Sequence, residues 1–199
     1  SVILDKALED RINTAGYKTR AGAVAAARFL ALEFSYKIPY FYENGRLENY
    51  DVIRHVDGEG RYYHKGLYLS ENKFDSITSS YKGPAIWGCP LMNLNTEGRF
   101  KAGVKYPNGL DCSGFVSWAL YNGGCKNFTP ILAADFKNLG PSTTFSAAKT
   151  GDIAASNGHV VLILENRGSS LLVAEAKDTN YGVVFSERSQ SNLSNYTIV

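Results

Sequence analysis

One cysteine lies where a helix is expected to begin. Cys112 follows Asp111, which is expected to cap the helix, and apolar side chains recur after it at helical spacing until the pair Gly123-Gly124. The unpaired N–H groups and the positive dipole end of a helix N-terminus stabilise an anion there. The position therefore predicts a lowered pKa and a thiolate nucleophile at Cys112. The alternative is a small buried residue that happens to begin a helix, which is the commoner case for a free cysteine.

A histidine is available as the base that such a nucleophile needs. The chain has three, His55, His64 and His159. His159 follows Ser156-Asn157-Gly158 and opens a β-rich run, so its ring is expected at the end of a strand. The other two flank an expected hairpin, without the cysteine and carboxylate neighbours of a metal site, and are read as surface or hydrogen-bonded side chains.

Glu175 is the candidate to orient the imidazole. A three-residue loop at Asn166-Arg167-Gly168, with Gly168 left-handed, would place Glu175 directly opposite His159 on the neighbouring strand. Side chains paired in this way have Cβ atoms roughly 4.5 to 5.5 Å apart. A four-residue loop would shift the register by one and turn Glu175 to the other face. Taken singly, a carboxylate on the wet side of the sheet is the simpler interpretation.

The elements around these residues indicate one α+β domain. Amphipathic and alanine-rich patterns predict two N-terminal helices, 2–13 and from a Thr19 cap to about Tyr36. Three β-rich runs, 159–165, 170–176 and 181–186, predict an antiparallel meander. We divide the single domain 1–199 into N-terminal helices 1–38, a loop-rich insertion 43–110 with a hairpin at 52–56 and 61–69, and a catalytic core 111–199.

Composition excludes several classes of protein. The 199 residues carry a net charge of only +2, with 44% hydrophobic side chains, which argues against a nucleic-acid partner and against disorder. The most apolar stretch, 21–34, is too short for a membrane span. The first residues lack a signal-peptide pattern, so we expect a cytoplasmic chain or a processed or trimmed one.

The motifs together resemble a known family. Asp-Cys-Ser-Gly-Phe-Val at 111–116, Gly-Asp-Ile at 151–153, Gly-His-Val-Val at 158–161 and a polar residue on the next strand are similar to those of the NlpC/P60 peptidases, papain-like cell-wall hydrolases. The resemblance spans about Pro39 to Ser186. Residues 38–42 also resemble the family's Pro-Tyr-x-Trp-Gly-Gly segment, although Tyr42-Glu43-Asn44 replaces its last three residues.

The resemblance assigns roles to residues of this chain. It implies a papain-like α+β fold in which Cys112 is the nucleophile, His159 the base and Glu175 the third catalytic residue. It also implies that Tyr40, Asp111 and Ser113 line the substrate site. Two features depart from the family. The third catalytic residue of the family is commonly His, Asn or Gln, whereas here it is Glu175. Tyr40 and Cys112 are 72 residues apart, which is much farther than is usual in the family.

The activity implied by the resemblance is hydrolysis of an amide in the peptidoglycan stem peptide, between D-γ-glutamate and the diamino acid. It implies no metal or organic cofactor, a monomer, and an extracellular or cell-wall location in a bacterium. Alternatives are an amidase that cuts before L-alanine, an acyltransferase on the same fold, and a wall-binding module without catalysis.

Five further residues have open or structural interpretations. Asp152 is read as a turn or strand-start residue, and Trp118 as core. Cys89 and Cys125 could form a disulfide in an oxidising compartment or remain two unrelated thiols. Trp87, beside Cys89, could belong to the core or to a groove.

Overall fold

The computed structural model describes residues 2–34, 38, 40, 110–125, 131–178 and 180–199. The expected insertion, apart from Leu110, lies outside these residues, and so does its hairpin. His55, His64, Trp87 and Cys89 also lie outside them, so the interpretations given for these four residues stay predictions.

The described elements are helices followed by strands, in the order expected for an α+β domain. The helices are α1 (Val2–Ala15), α2 (Arg20–Arg28) with a π-helical continuation (Phe29–Glu33), α3 (Cys112–Asn122) and a 3-10 helix (Ala133–Asn138). The strands are β1 (Ile153–Ala155), β2 (Val160–Asn166), β3 (Ser170–Ala176), β4 (Val183–Ser189) and β5 (Thr197–Ile198).

The second helix begins as expected and ends earlier than expected. Thr19 is its N-cap, with the side-chain oxygen accepting a hydrogen bond from the N–H of Gly22. The expected continuation to Tyr36 is wrong, because the last turn widens into a π-helix in which the N–H of Phe34 bonds to the carbonyl of Phe29. Phe34 then adopts an extended conformation, which ends the helix before the proline.

Five strands form one antiparallel sheet in the order β4-β3-β2-β1-β5. The expected meander corresponds to β2, β3 and β4, although β4 extends to Ser189 instead of ending at Ser186. Strand β1 begins directly after Asp152, the expected turn or strand-start residue, whereas the two-residue strand β5 was not expected because it is too short to show an alternating pattern.

The sheet separates two apolar clusters. The larger one joins α1, α2 and α3 to one face of β2 and β3, with Trp118 fully buried inside it, as predicted. The smaller one covers the opposite face and includes Val161, Ile163 and Val173. Helix α3, which bears Cys112, therefore packs on an antiparallel sheet, and the expected α+β class is confirmed.

Candidate active site

Cys112 is the first residue of α3, and Asp111 is its N-cap. The carboxylate of Asp111 accepts a hydrogen bond from the N–H of Gly114 at 2.7 Å and one from the hydroxyl of Ser113 at 3.3 Å. The cap predicted for Asp111 is confirmed. Asp111 and Ser113 thus bond to each other and to the helix, and their role in lining a substrate site stays a prediction.

The prediction of a lowered pKa and a thiolate at Cys112 is wrong for this arrangement. Burial raises the pKa of the Cys112 thiol to about 12, and the Asp111 carboxylate adds to the rise. Hydrogen bonds to the sulfur, including one from the Tyr40 side chain, lower the pKa but do not offset these two effects. Only 6% of Cys112 is exposed, so the helix N-terminus acts on a thiol that has lost most of its water.

Tyr40 and the backbone just before His159 lie next to this thiol. Tyr40 pairs with Leu110 in an isolated parallel bridge, which holds its side chain within hydrogen-bonding reach of the sulfur. Sγ of Cys112 also lies 4.0 Å from the carbonyl oxygen of Gly158, the residue before His159. The structure thus brings Tyr40, Cys112 and the backbone of the 158–159 turn together.

A tight turn between β1 and β2 positions His159. Ala155 pairs with Val160, and the hydroxyl oxygen of Ser156 accepts hydrogen bonds from the N–H groups of Gly158 and His159. The N–H of Ser156 bonds in return to the carbonyl of His159 at 2.8 Å. The ring therefore leaves a fixed backbone at the end of a strand, as the sequence predicted.

Glu175 lies beside His159, but not directly opposite it. Nε2 of His159 is 3.5 Å from Oε2 of Glu175, which is long for a hydrogen bond, and this buried nitrogen makes no closer one among the described residues. Leu162 pairs with Ala174, a register two residues away from the predicted one. The direct pairing was wrong, and the two side chains meet diagonally on the same face.

The cause lies in the hairpin between β2 and β3. Asn166 pairs with Leu171, so the loop has four residues and not three, although Gly168 is left-handed as predicted, with φ +85°. Such a loop alone would turn Glu175 to the other face. At Asn166 the pairing is three residues away from the predicted one, and a β-bulge between Ile163 and Glu165 shifts it back by one, which leaves a difference of two residues and restores the face.

Glu175 is fully buried and surrounded by donors. Arg188 on β4 contacts both carboxylate oxygens, with Nη2 2.6 Å from Oε1 and 2.8 Å from Oε2, and Nε 3.2 Å from Oε2. The hydroxyl of Ser186 lies 3.2 Å from Oε1. Burial by itself would raise the pKa of Glu175, but the hydrogen bonds and charges of His159 and Arg188 hold it below its usual value of 4.5. The carboxyl group is therefore an anion.

Arg188 is the residue of this cluster that the sequence analysis did not identify. The third predicted strand ended at Ser186, because the run Ser186-Glu187-Arg188-Ser189 is polar throughout. A signal was present: Ser186 and Arg188 are two residues apart, so they share one face of any continued strand. Leu171 pairs with Arg188, which brings the guanidinium to the face of Glu175.

Two other residues singled out in the sequence, Asp152 and Cys125, lie outside the cluster. The buried carboxylate of Asp152 pairs with Arg20 of α2 and accepts a hydrogen bond from the N–H of Lys149 at 2.8 Å, which fits the predicted turn role. Cys125 is exposed and forms no disulfide with any described residue, so its predicted alternatives with Cys89 stay open.

Two general features of the described residues bear on function. In these ranges, no three His, Cys, Asp or Glu side chains gather where they could hold a metal ion. Among the same residues, none of the helices combines the length and the apolar character required to span a bilayer.

Comparison with known proteins gives matches among solved structures. No protein-family model and no curated protein matches the chain. A peptidoglycan hydrolase of Mycobacterium tuberculosis, RipB, is 16% identical over 98% of this chain and 65% of its own, with a TM-score of 0.47. RipA, a resuscitation promoting factor interacting protein, is 15% identical over 99% of this chain and 64% of its own, also at 0.47.

A third match is a P60 domain from an antigen of M. avium subspecies paratuberculosis. It is 14% identical over 97% of this chain and 94% of its own, with a TM-score of 0.43. The chain spans less than two thirds of the length of the RipA and RipB structures. By the motif around Cys112, the chain resembles the NlpC/P60 peptidoglycan hydrolases.

Proposed function

We propose that this protein is a cysteine hydrolase that cuts an amide bond in the stem peptide of peptidoglycan. The observation that carries the proposal is the placement of three groups. The thiol of Cys112 lies at a helix N-terminus, beside the backbone turn that holds His159, and the imidazole of His159 contacts the buried Glu175 anion. A nucleophile, a base and an orienting carboxylate in this order form the arrangement of a catalytic triad.

The raised pKa of Cys112 determines how the first step proceeds. A thiol with a pKa of about 12 is neutral at neutral pH, so its proton has to leave as the sulfur attacks the scissile carbonyl. With Nε2 of His159 facing Glu175, the other ring nitrogen, Nδ1, is the one left to take that proton. His159 acts as a general base in this step, and no preformed ion pair with the thiol is required.

The remaining steps use the same groups, with His159 first donating a proton and then accepting one. The backbone N–H of Cys112, with the Tyr40 hydroxyl beside the sulfur, stabilises the negative oxygen of the tetrahedral intermediate. Protonated His159 then gives its proton to the leaving amine, and a thioester with Cys112 remains. Water, deprotonated by His159, attacks this thioester and releases the carboxylic acid and the free thiol.

The substrate class rests on the resemblance of the motifs at 111–116, 151–153 and 158–161 to the NlpC/P60 peptidases. From it we propose the bond between D-γ-glutamate and the diamino acid, and an extracellular or cell-wall location. Asp111 and Ser113 would line the site next to Tyr40.

Digestion of purified sacculi followed by mass spectrometry of the fragments tests the proposal. We expect fragments that end in L-alanyl-D-glutamate from the wild-type protein and none from Cys112→Ala. Glycan strands stripped of their peptides would indicate an amidase instead, and new amide products in the presence of an added amine would indicate an acyltransferase. Intact sacculi after exposure to the wild-type protein would contradict the proposal.

A second candidate function is supported by the neutral, buried state of the thiol. A wall-binding module on the same fold would need no activated sulfur, which agrees with the raised pKa of Cys112. Such a module would bind sacculi equally well as wild type and as Cys112→Ala, and neither protein would release fragments. Fragment release that disappears in Cys112→Ala while binding persists would exclude it.

A further inference from the structure

The guanidinium of Arg188 takes no part in the proposed reaction, yet it makes the shortest contacts to the proposed orienting residue. Glu175 has 0% of its surface exposed, and Arg188 lies against it with 22% of its side chain exposed. His159 approaches the same carboxylate from the strand on the other side, at a longer distance of 3.5 Å. The carboxylate therefore lies between a fixed cation and the proposed base.

The geometry of Arg188 fixes the plane of this carboxylate. Nη2 is within 2.8 Å of both oxygens and Nε is 3.2 Å from Oε2, while the hydroxyl of Ser186 holds Oε1 from a second direction. A planar guanidinium with donors to both oxygens restricts rotation of the carboxyl group more than a single contact does. The Oε2 oxygen consequently remains directed at Nε2 of His159.

The charges explain why His159 alone would not be sufficient. A buried carboxylate needs a compensating positive charge, or it takes up a proton. A general base passes between its neutral and protonated forms in each catalytic cycle, so His159 compensates Glu175 for only part of the cycle. An arginine stays protonated throughout, which makes Arg188 the constant counter-charge.

We propose that Arg188 is a positioning residue of the active site, which holds Glu175 as a fixed anion so that Glu175 keeps Nε2 of His159 protonated and leaves Nδ1 free to act as the base. This inference rests on the proposed function and adds to it a residue on β4. Arg188 contacts Glu175 and acts through it.

Turnover of a purified muropeptide by single and double variants tests this coupling. We expect Arg188→Met to lower kcat about 10- to 100-fold with a smaller change in KM, because misplacement of a catalytic group mainly affects the chemical step. In a Glu175→Gln background, Arg188→Met should lower kcat less than about twofold, since its effect passes through Glu175. Equal losses in both backgrounds would overturn the inference.

Two further arginine variants separate positioning from folding. Arg188→Lys keeps the positive charge but lacks the planar guanidinium with its several donors, and it should recover part of the kcat lost in Arg188→Met. This variant remains informative if Arg188→Met does not fold. Arg167→Met is the matched control, because Arg167 also pairs with two carboxylates, Glu165 and Glu187, but is 42% exposed at the far end of β2. We expect wild-type kcat from this control. Wild-type kcat from both Arg188 variants would contradict the inference.

An NMR readout makes the test independent of catalysis. The ring nitrogens of ¹⁵N-histidine-labelled protein report the tautomer, and comparison with His159→Gln identifies the signals of His159. We expect neutral His159 to carry its proton on Nε2 in the wild type and to become a mixture of tautomers in Arg188→Met. An unchanged tautomer would overturn the role of Arg188. Absence of muropeptide cleavage by the wild type would instead count against the proposed function.

Discussion

Nε2 of His159 lies 3.5 Å from Oε2 of Glu175, although the two residues are offset by two positions in the register of β2 and β3. The diagonal contact is possible because both side chains are on the same face of the sheet. In the proposed mechanism this contact leaves Nδ1 of His159 to accept the proton of Cys112, whose sulfur is 4.0 Å from the carbonyl oxygen of the preceding Gly158.

Replacement of Glu175 by glutamine tests this contact. Glutamine keeps the shape of the side chain but removes the charge that orients and stabilises the imidazolium, so we expect kcat to fall about 100-fold or more. The measurement is the rate of cleavage of a purified muropeptide. Glu165→Gln, an exposed carboxylate on β2, is the control and should leave kcat unchanged. Wild-type kcat in Glu175→Gln would show that another group orients His159.

The sequence predicted which residues make this contact, but not the register that brings them together. His159 and Glu175 were identified because a histidine at a strand start and a carboxylate within an apolar run are local signals. The register was wrong because the four-residue loop places the pairing three residues from the predicted one, and a bulge between Ile163 and Glu165 shifts it back by only one. Both shifts are by an odd number of residues, so together they return Glu175 to the face of His159. The correct face of the sheet was therefore predicted from an incorrect turn.

The reactivity of Cys112 should increase steeply with pH. Because burial raises its pKa to about 12, the thiolate fraction should increase about tenfold per pH unit from neutral pH upwards. The measurement is the rate of alkylation by iodoacetamide in a Cys89→Ala/Cys125→Ala background, where Cys112 is the remaining thiol. A rate that levels off near neutral pH would contradict the neutral resting thiol.

Acid should destabilise the protein partly through Glu175. Its pKa is held below the ordinary value of 4.5 in the folded state, so its contribution to stability is present above that value and is lost as the pH falls through the folded pKa. We expect the free energy of unfolding of Glu175→Gln to be lower than that of the wild type at about pH 7, and the difference to shrink by about pH 3. A difference that is independent of pH would contradict this assignment.

Asp152 should matter for stability and not for catalysis. Asp152→Ala leaves the N–H of Lys149 without its acceptor and Arg20 without its partner, and we expect a loss of about 1 to 3 kcal/mol in the free energy of unfolding. Asp152→Asn keeps an acceptor oxygen and should lower the free energy of unfolding by less. Chemical denaturation and muropeptide cleavage are the two measurements. A large loss of kcat in Asp152→Asn at unchanged stability would give Asp152 a catalytic role.

Local signals also explain which other features could be predicted. The caps Thr19 and Asp111 were identified correctly, because a capping side chain bonds to an N–H only a few residues away. The state of the Cys112 thiol was not, because burial, which the start of a helix does not reveal, is the largest cause of its raised pKa. Arg188 was missed for a related reason: its partner Glu175 is 13 residues away, on the neighbouring strand.

The central claim is that Cys112 and His159 act as one catalytic unit. The most direct test is kcat for cleavage of a purified muropeptide by Cys112→Ala, by His159→Gln and by the double variant. We predict that each single variant loses nearly all activity and that the double variant is no worse than either, because groups that act as a unit are not additive. Wild-type turnover in either single variant would contradict the claim.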